Sequence, residues 1–232
     1  MPDTKTANLT LHHLEYSQSF RVLWMLEELE IPYDLIVYSR DAKTMAAPAE
    51  YKALSPLGTA PVITHGGITL AESSAIMDYI LDITPDQQLR PSPGTANRTR
   101  FLFWWHAAQG SMMPLQLMIT VMTLSQKRLP FFMRPLIKLY VSALNDLFMQ
   151  PRLARLLALA EADLGTAPWF GGDSLSAADL LIAYNMIVGE ERGMIDAEKY
   201  PRCTEWVSRM RALPSFARAT EKDGRPSMAL NY

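Results

Sequence analysis

The sequence predicts an α/β domain followed by an all-α domain. Three observations predict it. Up to about Ile83, short β-rich runs alternate with helical runs. From Pro91 onward the β signal disappears and long helical runs take over. Between them lies Pro91-Ser92-Pro93-Gly94, a turn cluster and the best linker. The expected division is 1–88 and 89–232, in a chain of 232 residues that fits one large domain or two small ones.

Each element follows from local pattern. Residues 9–14 read as a strand. Residues 20–29 carry Val22, Met25, Leu26 and Leu29 at the spacing of one helix face. Asp34–Tyr38 is strand-like again, and 61–64 and 68–70 are short strands joined by the hairpin signal His65-Gly66-Gly67. Ser73–Ile83 reads as a helix. The order β-α-β, an irregular or helical link, then β-β-α predicts a small mixed sheet with helices packed on it. In the second half, helical runs cover about 95–124, 134–164 with a break near Pro151, Ala177–Glu191 and 200–213. Ser176 and Asp179 have the spacing of a capping box, with Leu175 and Leu180 as its hydrophobic staple, a device for folding and not for catalysis. Two such domains leave a crevice where a ligand can sit.

Composition excludes several classes. With 22 basic and 24 acidic residues the net charge is −2, so there is no global basic field for nucleic acid. Hydrophobic residues at 49% and charged residues at 20% are globular values. The one cysteine, Cys203, can form neither an internal disulfide nor a CxxC motif, and a reducing compartment is the plain reading. Residues 1–8 lack the apolar core of a secretory signal, so the mature chain is expected to start there. The greasiest run, 112–124, is too short for a span of about 20 apolar residues and is expected to be a buried helix or the wall of an apolar pocket. Across 112–139 a buried helical hairpin or a dimer contact is preferred over loose membrane association. None of the four histidines has helical ligand spacing to another, so no metal site is expected.

Three short constellations carry chemistry. Tyr16-Ser17-Gln18-Ser19-Phe20-Arg21 places hydroxyls at a helix N-terminus, where unpaired N–H groups and the dipole favour an anion. Taken locally, the plainer reading is that Ser17 or Ser19 caps the helix. In Gly58-Thr59-Ala60-Pro61-Val62-Ile63, a cis Ala60–Pro61 bond would turn the Ala60 backbone toward a ligand instead of the sheet. In Leu70-Ala71-Glu72-Ser73-Ser74-Ala75-Ile76 a strand runs straight into a helix. Ser73 and Ser74 offer hydroxyls and N–H groups to a carboxylate, and Glu72 offers a partner to an ammonium. That pair suits the zwitterionic end of an amino acid or peptide.

In combination these motifs resemble the cytosolic glutathione transferases. The resemblance rests on Leu23-Trp24-Met25-Leu26-Glu27-Glu28-Leu29, Ser55-Pro56-Leu57-Gly58-Thr59-Ala60-Pro61-Val62 and Glu72-Ser73-Ser74-Ala75-Ile76. Trp169-Phe170-Gly171-Gly172-Asp173 and Ser176-Ala177-Ala178-Asp179 extend it to about residues 9–220, nearest to the bacterial and fungal branch with an active-site serine.

The resemblance implies a thioredoxin-like domain that binds glutathione and a helical domain that shapes a hydrophobic electrophile pocket. Ser17 matches the active-site hydroxyl, and Ala60 the residue whose backbone pairs with the cysteinyl part. Pro61 matches the cis-proline, and Glu72 with Ser73 the grip on the γ-glutamyl end. Tyr16 and Ser19 are rivals to Ser17. Tyr16, His106, Met112 and Met113 are pocket candidates. Ser55 and Thr59 depart from the family's usual asparagine and basic residue, leaving Lys52 or Arg40 to meet the glycine carboxylate. Glutathione is implied as co-substrate with no metal, in a cytoplasmic homodimer of detoxification.

The chemistry agrees. A free thiol has a pKa of about 8.5, so little is thiolate at neutral pH. One hydrogen bond to a charged group supplies about 1.5–3 kcal/mol, enough to lower that pKa by about one or two units. Glutathione is then the nucleophile and Ser17 a donor. A glutathione-dependent peroxidase acting on organic hydroperoxides is an alternative, as is a non-catalytic binding protein on the same fold.

Overall fold

The computed structural model describes residues 8–84, 89–128, 130–225 and 228. In the first half, β1 (Thr10–Leu14), α1 (Ser19–Glu28), β2 (Asp34–Tyr38) and a single helical turn α2 (Ala49–Lys52) lead to β3 (Val62–His65), β4 (Ile68–Ala71) and α3 (Ser73–Ile83). The four strands form a mixed sheet in the order β2-β1-β3-β4, with β1 and β2 parallel and the β1–β3 and β3–β4 pairs antiparallel. This is the thioredoxin-like arrangement. The β3–β4 hairpin turns through Gly66 and Gly67, both at positive φ.

The two sheet faces bury different partners. Leu9, Leu11 and Ile63 pack with Val22, Met25 and Leu26 of α1 and with Ile76, Met77 and Ile80 of α3. Leu14 and Val62 pack on Tyr51 of α2. His13 has the same parity along β1 as Leu11, and His12 that of Leu14. His12 accordingly meets the Tyr38 hydroxyl at 3.1 Å and Thr64 at 3.2 Å, while His13 turns toward α1.

The second half is helical throughout its described residues: α4 (Ala96–Ala107), α5 (Met113–Arg128), α6 (Arg134–Leu144), α7 (Gln150–Leu164), α8 (Ala177–Glu191), α9 (Pro201–Arg211) and α10 (Pro214–Asp223). A π-helical turn at Ala108–Met112 joins α4 to α5, and another at Asn145–Met149 joins α6 to α7. The second is the break expected near Pro151. Residues 85–88, at the expected domain boundary, lie outside the described residues. The chain just beyond is pinned from both sides. Ala177 donates its N–H to the Leu89 carbonyl at 2.8 Å, and Arg90 pairs with Asp78 and Asp82 of α3.

Helix α8 is the centre of this half, with twelve of its residues buried. The Ser176–Asp179 capping box is present. Asp179 is fully buried and accepts from the N–H groups of Phe170, Gly171 and Ser176, from the Ser176 hydroxyl and from the Trp206 indole. Burial pushes its carboxyl up, against the pull of those donors. Gly171 is required here, because a Cβ would lie 2.3 Å from Ser176 Oγ.

The hairpin of α5 and α6 departs from expectation. Helix α6 has no buried residue, and Leu117, Val121, Phe131, Phe132, Leu136 and Leu139 are exposed. The 112–139 stretch is therefore not a buried hairpin within one chain; Leu129 and the side chains of 126–128 lie outside the described residues. Among the described residues no helix is long and apolar enough to cross a membrane.

Helix α10 was not among the predicted elements. It lies along α1. Phe216 stacks edge-on against Trp24 and Phe20, the Trp24 indole donates to Ser215 Oγ at 3.0 Å, and Lys222 and Arg218 both reach Glu27.

Candidate active site

Strand register gathers the predicted motifs at one end of the sheet. Val62 pairs with His12 on β1 and with Ala71 on β4. One step further along both ladders, Pro61 comes between His13 and Glu72. The C-terminal end of β1, the start of β3 and the β4–α3 junction therefore meet. The Ala60–Pro61 peptide is cis, and Ala60 stands outside both ladders.

At the β1–α1 corner, Ser17 is nearly buried. Its Oγ accepts the Ser19 N–H at 3.1 Å, a cap-like bond, and lies 2.7 Å from both the Leu14 carbonyl and Ser19 Oγ. Ser19 is fully buried and reaches His13 Nδ1 at 2.8 Å, and His13 Nε2 meets Asp223 at 2.6 Å. Ser17, Ser19 and His13 thus share one buried hydrogen-bond chain.

Arg21, four residues after Ser17, is fully buried between the domains. It donates to Asn185 of α8 at 2.7 Å, to Gln109 of the first π turn at 2.8 Å and to Gln18 at 3.1 Å, and its guanidinium lies 4.9 Å from the Tyr184 ring. Its hydrogen-bond partners are neutral amides. Burial pulls its pKa down to about 9, which leaves it cationic at neutral pH within the first turn of α1.

At the β4–α3 junction, Glu72 is exposed at φ +79°, a region that side-chain-bearing residues rarely adopt. Backbone strain of about 1–3 kcal/mol at such a residue marks functional sites. Its side chain makes no capping bond to α3. Ser73 is buried as the first residue of α3, where the opening N–H groups have no intrahelical partner. The junction therefore offers a carboxylate beside an anion-binding turn.

The other predicted residues are dispersed. Tyr16 is half-buried at φ +51°, with the Arg225 guanidinium 5.5 Å from its ring. Met113 is half-buried, just after the π turn whose Gln109 touches Gln18. Met112 is fully buried in the core. His106 is exposed and lines a cavity of about 290 Å³ with Asp78, Asp82 and Arg90. A larger cavity of about 490 Å³ is lined by Pro114 and Leu115, from the run expected to form a buried helix or an apolar pocket wall, with Arg155 and Leu156 opposite; none of the candidate site residues lines it.

Arg40 and Lys52 separate clearly. The Arg40 guanidinium is engaged by the carbonyls of Glu15 and Met45 at 2.8 and 2.9 Å and by that of Tyr16 at 3.4 Å. Lys52 is exposed, beside the Gly58 turn. Cys203 is buried in α9, and burial, with Glu161 nearby, pushes its thiol well up. Among the described residues no group of histidine, cysteine and carboxylate side chains is placed to hold a metal.

Sequence reasoning missed Asp223 and Arg225. Asp223 ends α10 and Arg225 follows just beyond its Gly224 cap, pairing with Glu15 beside the Ser17 loop. The available signals were Pro214 at the helix start, Phe216 and Ala219 on one face, and Gly224 at the end.

Comparison with known proteins points one way. The glutathione S-transferase N-terminal domain family matches residues 17–83, and the glutathione S-transferase C-terminal domain family matches 113–214. Glutathione S-transferase 3 of Schizosaccharomyces pombe is 29% identical over 215 residues, covering 92% of this chain and 87% of that protein. A glutathione S-transferase structure from Actinobacillus pleuropneumoniae superposes with a TM-score of 0.72 at 27% identity, covering 93% of each chain. A Sulfitobacter homologue solved with bound glutathione shares the fold, with a TM-score of 0.71 at 21% identity over 93% of this chain and 98% of that one.

Proposed function

The chain belongs to the glutathione S-transferase family, and from that premise we propose that it ionises glutathione at Ser17 for attack on hydrophobic electrophiles. Glutathione transferase is its activity class. The single observation that carries the residue assignment is the convergence, at one end of the sheet, of Ser17, the cis Ala60–Pro61 bond and the Glu72–Ser73 turn.

In this reading the γ-glutamyl carboxylate takes the open N–H groups of α3 at Ser73, and its ammonium faces Glu72. The cysteinyl backbone pairs with Ala60. Lys52, being free of the engagements that hold Arg40, takes the glycine carboxylate. The sulfur then lies at Ser17. The thiol proton leaves to water, Ser17 donates its hydrogen bond to the thiolate, and the buried cation of Arg21 favours that charge. The sulfur forms its bond to the electrophilic carbon as the leaving group departs with its electron pair.

We assign residues 1–88 to the glutathione domain and 89–232 to the electrophile domain. Of the pocket candidates, Tyr16 and Met113 are favoured, because Gln109 brings that helix face to the Ser17 loop. A homodimer is supported by the exposed apolar residues of α5 and α6, a face that soluble monomers rarely present. We place the enzyme in the cytoplasm, in electrophile detoxification, on the ground that its one cysteine is unpaired.

The test is retention on immobilised glutathione together with turnover of an aryl halide and an organic hydroperoxide. Retention with aryl halide conjugation is expected. Hydroperoxide turnover alone moves the reaction to a peroxidase, and failure to bind removes the enzymatic reading. Light scattering checks the dimer.

A further inference from the structure

We propose that His13 and Asp223 are positioning residues that act through Ser19 to turn the Ser17 proton toward the glutathione sulfur. The inference rests on the Ser17 reading and extends it to the C-terminal helix.

Ser19 Oγ has four neighbours: the Leu14 N–H at 3.2 Å, the Leu14 carbonyl at 3.1 Å, His13 Nδ1 at 2.8 Å and Ser17 Oγ at 2.7 Å. A hydroxyl has one proton to give and two lone pairs to receive. The Leu14 N–H fills one lone pair. Asp223 as a carboxylate can only accept, so the His13 Nε2 facing it at 2.6 Å carries a proton.

What remains is Nδ1. When it also carries a proton, it fills the second lone pair of Ser19. The Ser19 proton then goes to Ser17 or to the Leu14 carbonyl. In the first arrangement, Ser17 Oγ receives both the Ser19 N–H and the Ser19 hydroxyl. Both its lone pairs are filled, and its own proton must point to the Leu14 carbonyl or to a ligand. When Nδ1 is bare, it draws the Ser19 proton away. The vacated lone pair of Ser19 then becomes a second acceptor for the Ser17 proton beside the Leu14 carbonyl, in competition with the sulfur. With both His13 nitrogens protonated, the Ser17 proton is thus kept off Ser19 and left to the Leu14 carbonyl or to the sulfur.

The surroundings support the assignment. His13 and Ser19 are fully buried, and Asp223 is 8% exposed. Asp223 is the charged group facing His13 among the described residues. His12 on the same strand is turned to Tyr38 and Thr64 on the other sheet face, and Glu15 pairs with Arg225. From α1, Arg21 is held by amides and Glu27 by Lys222 and Arg218.

The experiment is titration of the glutathione thiol in the binary complex, by thiolate absorbance, with the pH profile of kcat/KM. The variants are Asp223→Asn, Ser19→Ala and Ser17→Ala, alone and paired. Asp223→Asn and Ser19→Ala should each raise the bound thiol's pKa by about one unit, a tenfold loss of thiolate at neutral pH. Activity should recover at high pH, and KM for glutathione should move less than about threefold. Neither change should add to Ser17→Ala. Ser19→Ala leaves the α10 contacts in place, so it remains informative if Asp223→Asn folds poorly. An unmoved thiol pKa in both variants, with Ser17→Ala raising it, overturns this inference alone. An unmoved pKa in Ser17→Ala overturns the reading beneath it.

Discussion

Lys222 Nζ lies 2.5 Å from Glu27 Oε1, joining the last turn of α10 to the last turn of α1. Arg218 pairs with the same carboxylate at 3.2 Å, and the Tyr33 hydroxyl donates to it at 2.5 Å. A helix from the end of the chain thus clamps the helix whose N-terminus carries Ser17.

That clamp is acid-sensitive. Burial pushes the Glu27 carboxyl up, but hydrogen bonds from Lys222, Tyr33 and Arg218 outweigh it and hold the group below its ordinary 4.5. A depressed folded value means the contribution is complete above pH 4.5 and is lost as pH falls through the folded value. Glu27→Gln should cost about 1–2 kcal/mol at neutral pH, the partners being partly exposed, and should flatten the acid limb of stability. Urea unfolding between neutral pH and pH 3 checks both. An unchanged acid limb contradicts the assignment.

Ser17→Ala should lower kcat about tenfold to a hundredfold, the loss of one hydrogen bond to a charged group, with little change in glutathione affinity. Tyr16→Phe should stay near wild type, because the Tyr16 ring stands against Arg225. Steady-state kinetics decide between them. An inactive Tyr16→Phe with a normal Ser17→Ala transfers the role to Tyr16.

Glu72 carries two burdens that one substitution separates. Glycine accepts its φ of +79° without a Cβ penalty but lacks the carboxylate. Glu72→Gly should melt no lower than wild type, while KM for glutathione rises about tenfold or more. Calorimetry and kinetics on the same sample test this. A lowered melting point with an unchanged KM makes the residue structural.

Cys203 should be silent. Its thiol is buried, and burial raises its pKa, so it should label with a thiol reagent only after unfolding. Cys203→Ala should retain activity within about twofold. Rapid labelling of the native protein contradicts this.

Much of the fold was legible because strong periodicity coincides with clear stops. β2, α3 and α8 fall on their predicted residues, and the cap at Ser176 fixes the start of α8. The β4–α3 junction at Glu72 and Ser73 was readable because strand and helix abut without a loop. Helix α10 was not, since its charged sequence looks like a solvated tail and its apolar face is one phenylalanine and small residues. The His13–Asp223 contact spans 210 residues and has no local trace. The phase of the α4–α5 helix was also hidden. A π turn inserts an extra residue at Ala108–Met112, so a face drawn with uniform periodicity does not separate the buried Met112 from the half-buried Met113.

The central claim is the seat of the sulfur, and the most direct measurement is a crystal structure with glutathione bound. The account predicts the sulfur within about 3.5 Å of Ser17 Oγ, near the outer limit for such a bond. It also predicts the γ-glutamyl carboxylate on the first N–H groups of α3. A tripeptide bound away from that corner, or a sulfur resting on the Tyr16 hydroxyl, contradicts it.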